Sequence, residues 1–132
     1  MEVIMAKIAQ EITLTTKNEI GTLAKVTGPI KEIGVNIKAW CAWAEGDKGQ
    51  FRLVTDNNAR AIEALKKAGF KTQEKEVIIT TLSNKVGTLA EGAVRLAEAG
   101  VDVEYCYASA AGNEALVVLA TKNNAKVIGL LR

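Results

Sequence analysis

One short motif, rich in groups that can bind a small charged molecule, occurs twice in this chain. Residues 18–24 read Asn-Glu-Ile-Gly-Thr-Leu-Ala, and residues 84–90 read Asn-Lys-Val-Gly-Thr-Leu-Ala. In each copy the amide side chain offers a donor and an acceptor, and the glycine permits a tight turn that a ligand can approach closely. A helical pattern of apolar residues follows, and a helix N-terminus presents unpaired N–H groups and partial positive charge. The motif therefore predicts a site for a carboxylate.

The groups that most often carry catalysis are missing from the sequence. It contains no histidine, which removes the commonest general base and every metal site that depends on imidazole. Cys41 and Cys106 are far apart and form no metal-ligand spacing. An acylphosphatase-like phosphate site would need an arginine in the first loop, where only Lys17 stands. We therefore expect no enzymatic activity, no metal and no cofactor.

Composition excludes two classes of partner. The net charge is +2, with 17 basic and 15 acidic residues spread along the 132-residue chain, and only six residues are aromatic. A nucleic-acid-binding protein would show a clustered basic face or stacking aromatics. No apolar run approaches the roughly 20 residues that span a bilayer, and the N-terminus has no signal-peptide pattern. We expect a cytoplasmic protein that contacts neither nucleic acid nor membrane.

An internal duplication underlies the repeated motif. When the chain is aligned with itself at an offset of 66 residues, 20 of the 66 ungapped pairs are identical. Gly34-Val35-Asn36-Ile37 then falls on Gly100-Val101-Asp102-Val103. Because a period of 66 is too long for the usual solenoid repeats, each repeat should be a small domain.

Each repeat shows the same order of predicted elements, which is β-α-β-β-α-β. Alternating strands and amphipathic helical stripes in that order are typical of the ferredoxin-like fold, an α+β arrangement with an antiparallel sheet and both helices on one face. We place the first repeat at residues 7–74 and the second at 75–132. The second would lack most or all of its fourth strand, which leaves open what covers that sheet edge.

Alternation along the second strand assigns its side chains to two faces. It places Ile37, Ala39, Cys41 and Trp43 toward the helices, and it places Lys38, Trp40 and Ala42 on the opposite, open face. An exposed indole on a sheet face favours an interface, so we expect at least a homodimer with Trp40 or the sheet edge of the second repeat at the contact.

The two motifs in this order resemble those of the ACT domain, and the closest type is a small stand-alone protein of two ACT repeats. Asn-x-x-Gly-Thr-Leu-Ala precedes the first helix, and Gly-Val-Asn-Ile or Gly-Val-Asp-Val begins the second strand, in both repeats. The resemblance covers nearly the whole chain from about Lys7. It implies a ligand-binding regulatory module that holds a free amino acid between two copies, using the turn of one copy and the second strand of another.

The candidate site residues follow from that resemblance by position. In the first repeat they are Asn18, Ile20, Gly21, Thr22, Leu23, Asn36 and Ile37. In the second they are Asn84, Val86, Gly87, Thr88, Leu89, Asp102 and Val103. The apolar members favour an amino acid with a small or aliphatic side chain.

Simpler roles are open for the same residues. Asn18 and Asn84 stand where a helix N-cap belongs, and Gly21 and Gly87 can serve as turn residues only. The resemblance implies an amino-acid-binding regulatory protein that acts on a metabolic enzyme. The alternative is an ACT module that binds no ligand and serves to assemble with an enzyme subunit.

Overall fold

The computed structural model describes residues 3–131; Arg132, the expected end of the second repeat, lies outside them. Six strands and four helices follow one another along the chain. They are β1 (Val3–Lys17), α1 (Thr22–Glu32), β2 (Ile37–Glu45), β3 (Lys48–Thr55), α2 (Asn58–Lys67), β4 (Gln73–Ser83), α3 (Thr88–Glu98), β5 (Val103–Ala111), β6 (Glu114–Thr121) and α4 (Asn124–Leu130). The predicted α+β class with two ferredoxin-like repeats is confirmed, because the β-α-β-β-α order and the antiparallel pairing of the strands recur.

The chain forms two compact units. One consists of residues 10–75, and the other combines residues 3–9 with residues 76–131. The longest strands, β1 and β4, therefore each contribute to both units. Below, the unit of residues 10–75 is called the first unit and the other the second unit.

The first unit has a dense apolar core between its sheet and its two helices. Its strands follow the order β2-β3-β1, with the beginning of β4 next to β1. Ile12, Val26, Ile30 and Leu65 are completely buried and belong to one cluster with Leu53 and other neighbours. Burial of an aliphatic side chain of this size contributes about 1.5–3 kcal/mol, so these positions on β1, α1 and α2 hold the helices on the sheet.

The second unit has strand order β1-β4-β6-β5, in which residues 3–9 provide the β1 segment. That segment lies beside β4, on the side where the fourth strand of a ferredoxin-like repeat belongs. The Thr80 hydroxyl donates a 2.8 Å hydrogen bond to the Met5 carbonyl, and Val3 and Ala6 pack against a core cluster that contains Ile78. The sheet edge left open by the sequence is therefore covered by the beginning of the chain.

A Thr-x-Asn-Asn sequence closes the third strand of each repeat in the same way. In the second unit the Asn124 side-chain oxygen accepts from the Thr121 N–H (3.1 Å) and hydroxyl (2.7 Å), while its amide nitrogen donates to the Glu76 carbonyl (3.2 Å). Asn58 does the same with Thr55 and the Gln10 carbonyl. The last asparagine of each Thr-x-Asn-Asn sequence therefore joins the start of a helix to two strands.

The predicted face assignment along β2 is wrong beyond Ile37. The register against β3 shifts between Ile37 and Ala39, so that Trp40 lies opposite Leu53, and Ala42 lies opposite Phe51. Directly opposed residues of an antiparallel pair share a face, and Leu53 and Phe51 belong to the core beneath the helices. A β-bulge adds one residue and reverses the alternation after it, so Trp40 lies on the helix-bearing face.

Candidate functional site

The turn before the first helix has the same geometry in both repeats. Gly21 precedes α1 with φ 86°, and Gly87 precedes α3 with φ 87°. This left-handed conformation is accessible to glycine at little cost and strained for most other residues. A Cβ atom at either glycine would meet no atom within 4 Å apart from those of the adjoining residues. The backbone conformation, not lack of space, is therefore what requires glycine here.

The suggestion that Asn18 and Asn84 are N-caps is wrong, because the capping residues are Gly21 and Gly87. The Asn18 side-chain amide instead donates to the Gly46 carbonyl (3.3 Å), and the main-chain N–H of Asn18 donates to the Asp47 carbonyl (2.8 Å). Asn84 repeats this arrangement with Gly112 (2.9 Å) and Asn113 (2.9 Å). Both asparagines fix the turn to the neighbouring hairpin and leave each helix without a side-chain cap.

Four of the predicted residues of the first repeat lie together in one concavity of about 270 Å³. They are Asn18, Gly21, Thr22 and Leu23, and the opposite wall comes from β2 and β3. The Thr22 hydroxyl donates to the Glu19 carbonyl at 2.8 Å, which tightens the turn. Ile20 is fully exposed at the tip.

Two charged residues of opposite sign also line this concavity, and neither was among the candidate site residues. They are Lys17 and Glu19, and Glu19 Oε2 lies 3.7 Å from Lys25 Nζ in an exposed ion pair. The positions were visible in the sequence as a Lys-x-Glu pair around Asn18. Lys17, Glu19 and the N-terminal turn of α1 thus border one small space.

Asn36 and Ile37 do not join the residues of the turn. They line a separate concavity at the C-terminal end of α1. The Asn36 N–H donates to the Asp56 carboxylate (3.1 Å), and its carbonyl accepts from the Asp56 N–H (3.0 Å). Ile37 packs against the core of the first unit. The main chain of Asn36 is thus tied to the end of β3.

The second repeat differs from the first in chemistry, although its turn has the same shape. Val86 is fully exposed, like Ile20, and Thr88 is buried. Lys85 takes the place of Glu19, so the acidic side chain of the first turn is absent here. Asp102 forms an exposed ion pair with Lys122 at 3.2 Å. Leu89 and Val103 line an apolar cavity beneath α3.

Neither a metal centre nor a membrane span is found in the part of the chain that the structure describes. Across residues 3–131, no three or more His, Cys, Asp or Glu side chains gather in a way that could hold a metal ion. None of the helices within that range has the length and apolar character needed to cross a bilayer.

The fold and its repeated turn define a class, a pair of ferredoxin-like modules with a glycine-capped first helix. Residues 7–131 match the family described as an ACT domain pair, and the chain belongs to this family. The resemblance read from the two motifs is thereby confirmed. No curated protein sequence is significantly similar to the chain.

Solved structures share this fold. A protein from Bacteroides thetaiotaomicron is 30% identical, with a TM-score of 0.90 over 96% of this chain and 88% of that one. The ligand-free regulatory subunit of aspartate kinase from Thermus thermophilus is 14% identical, with a TM-score of 0.71 over 99% and 97% of the two chains. The corresponding subunit from Thermus flavus is 16% identical, with a TM-score of 0.64 over 99% and 97%.

Proposed function

We propose that this chain is a regulatory protein without catalytic activity of its own, and that it binds a free amino acid at the turn between β1 and α1. The observation that carries the proposal is the concavity that places Lys17 and Glu19 around the N-terminus of α1. A free amino acid carries a carboxylate and an ammonium group, and this arrangement offers a partner for each.

The carboxylate would bind at the helix N-terminus. The N–H groups of the first helical turn have no intrahelical acceptors, and the helix dipole adds partial positive charge. The Lys17 ammonium would add a full charge on binding, and Gly21 leaves the approach to the backbone open. Glu19 would receive the ligand's ammonium group in place of Lys25, its exposed partner. Exposed ion pairs contribute about 0–1 kcal/mol, so this exchange costs little.

The same turn in the second repeat is the weaker candidate. Gly87 gives it the backbone geometry of the first turn, but Lys85 replaces the acidic residue and Asp102 is paired with Lys122. Asn84, Val86, Gly87, Thr88, Leu89, Asp102 and Val103 remain proposed ligand contacts, as do Asn36 and Ile37, on family grounds alone. The small concavity at the first turn supports a small or aliphatic ligand.

The regulated partner would be an enzyme of amino-acid metabolism in the cytoplasm, and the protein would act as a homodimer. Support comes from the family and from the regulatory subunits of aspartate kinase that share the fold. The match over residues 7–131 supports the outer limits of the pair, and the division into residues 7–74 and 75–132 remains part of the proposal.

A thermal-shift screen with the common amino acids tests the proposal. A ligand present at about 100 times its dissociation constant stabilises the folded state by about 2.7 kcal/mol, which is a readily measured rise in melting temperature. Lys17→Ala and Glu19→Ala should each reduce the shift, whereas Lys7→Ala, on β1 away from the turn, should not. An unchanged melting temperature with every amino acid would contradict the proposal.

A second function, assembly without a ligand, is favoured by one observation. Ile20 and Val86 are fully exposed apolar side chains at equivalent positions of the two turns. Large exposed apolar groups repeated in this way suit a protein–protein contact. Association with an enzyme subunit that is lost in Ile20→Ser and Val86→Ser, without any amino-acid-dependent shift, would support this second function.

A further inference from the structure

The second unit contains an apolar cavity of about 350 Å³ between α3 and the sheet. Leu89, Gly92 and Leu96 of α3 line one side, and Val103, Cys106 and Val117 of β5 and β6 line the other. Its volume lies at the lower end of the range of small-molecule sites, about 300–1,000 Å³. It is more than twice the size of an engineered apolar cavity of about 150 Å³ that binds benzene.

The duplication explains how the cavity arises. Gly92 stands where the first repeat has Val26, and Val117 stands where it has Phe51. Val26 and Phe51 are buried in the core of the first unit. Cys106 likewise occupies the position of Trp40. At all three positions the second repeat has the smaller side chain, and these three positions face the same space.

The chemistry of the walls defines the class of ligand. No residue that lines the cavity in the described chain is charged. The Thr80 hydroxyl already donates to the Met5 carbonyl, and the Cys106 thiol is a weak hydrogen-bonding group. An ion placed here would find no charged partner among these walls. An apolar ring or branched chain would gain the dispersion contacts that the walls lack.

We propose that this cavity is a second ligand site, which binds an uncharged apolar small molecule about the size of an indole ring. The site lies within the second unit and uses none of Lys17, Glu19 or Gly21. It is therefore independent of the amino-acid site proposed at the first turn, and either can exist without the other. With the weaker candidate site at the second turn it shares Leu89 and Val103.

Indole is a suitable probe, with tryptophan as its matched charged counterpart, because the two share the same ring. Indole at millimolar concentration should raise the melting temperature by a few degrees and show saturable binding by calorimetry. Val117→Phe, which restores the side chain of the first repeat, should weaken binding at least tenfold. Val94→Phe makes the same change on the exposed side of α3 and should leave binding intact.

Two further measurements keep the test decisive if Val117→Phe fails to fold. Gly92→Val fills the cavity from the helix side and should have the same effect on indole binding. In a Cys41→Ser background, indole should slow modification of Cys106, which lines the cavity and is also exposed. Binding of tryptophan but not indole would overturn the proposal, as would indole binding that persists in both filled variants or no indole binding to the wild type.

Discussion

Trp40 on β2 lies directly opposite Leu53 on β3, so the two side chains share the face of the sheet that packs against α1 and α2. Leu53 is buried, whereas 54% of Trp40 is exposed. The strand that carries Trp40 is the outermost strand of the first unit. A half-exposed indole at the rim of an apolar core is therefore available to a second molecule.

We expect Trp40→Ser to weaken the proposed homodimer. Tryptophans buried at interfaces commonly contribute about 2 kcal/mol or more, which is roughly a 30-fold change in the dissociation constant. Trp43→Ser is the control, because Trp43 lies on the other face with Arg52 over its ring at 5.3 Å. Sedimentation at micromolar concentration would measure the dimer dissociation constant of both variants. Equal effects of the two substitutions would argue against an interface at Trp40.

Gly21→Asn should abolish the amino-acid-dependent melting shift while leaving the protein folded. Asparagine tolerates the left-handed conformation better than most residues, and it places a side chain over the N–H groups that the carboxylate would use. Gly100→Asn is the matched control, since Gly100 also has positive φ, at the end of α3. Gly87→Asn reports in the same assay whether the second turn binds a ligand.

Asn124→Ala should destabilise the second unit by about 2 kcal/mol or more. The substitution leaves the buried Thr121 N–H and Thr121 hydroxyl and the part-buried Glu76 carbonyl without the Asn124 side chain as their partner. Asn123→Ala removes only the helix cap on Lys126 and should cost about 1 kcal/mol. Urea unfolding measures the free energy of unfolding of both variants. A smaller loss for Asn124→Ala than for Asn123→Ala would contradict this account.

We expect that the ion pair between Glu11 and Arg52 in the first unit can be replaced by two apolar residues. Glu11 is fully buried, with Arg52 Nε 3.8 Å from its carboxylate. The equivalent positions in the second repeat are Val77 and Val118, both buried. Removing one member of a buried pair costs about 3–5 kcal/mol, whereas an apolar replacement of both is often neutral. Denaturant unfolding should therefore show a loss of free energy of unfolding in Arg52→Val. The double variant, which also carries Glu11→Val, should regain most of that loss.

Ala6→Asp should destabilise the second unit by about 2 kcal/mol, because it places a carboxylate against the apolar cluster around Ile78. Ile4→Asp is the control on an exposed position of the same strand segment. Hydrogen exchange of β4 amides should be faster in Ala6→Asp than in Ile4→Asp. Identical exchange in both would indicate that this segment does not hold the sheet edge.

Much of the fold is encoded locally and could be predicted from sequence. The repeated turn and the apolar helical stripes depend on neighbours within a few residues. The bulge in β2 is different, because one additional residue leaves no mark on composition. It reverses the faces of Trp40 and Ala42, and the same shift recurs between Val103 and Tyr105 in β5.

The candidate site was predictable in its backbone and less so in its side chains. Gly21 and Gly87 occupy the expected turns, but Asn18 and Asn84 contact hairpin carbonyls that lie 28 residues away in sequence. The cavity beneath α3 could not be read from a pattern either. It depends on Gly92, Cys106 and Val117 being small at once, which only the assembled fold makes apparent.

The position of residues 3–9 beside β4 also sets an order of events during synthesis. The first unit is continuous in sequence, so it can fold as soon as residue 75 has emerged. The second unit must wait, because the bond between Thr80 and Met5 joins residues 75 positions apart, and such distant contacts form slowly. Until β4 arrives, the first strand segment has an open edge, which makes the half-synthesised chain more prone to pair with another copy than the finished protein.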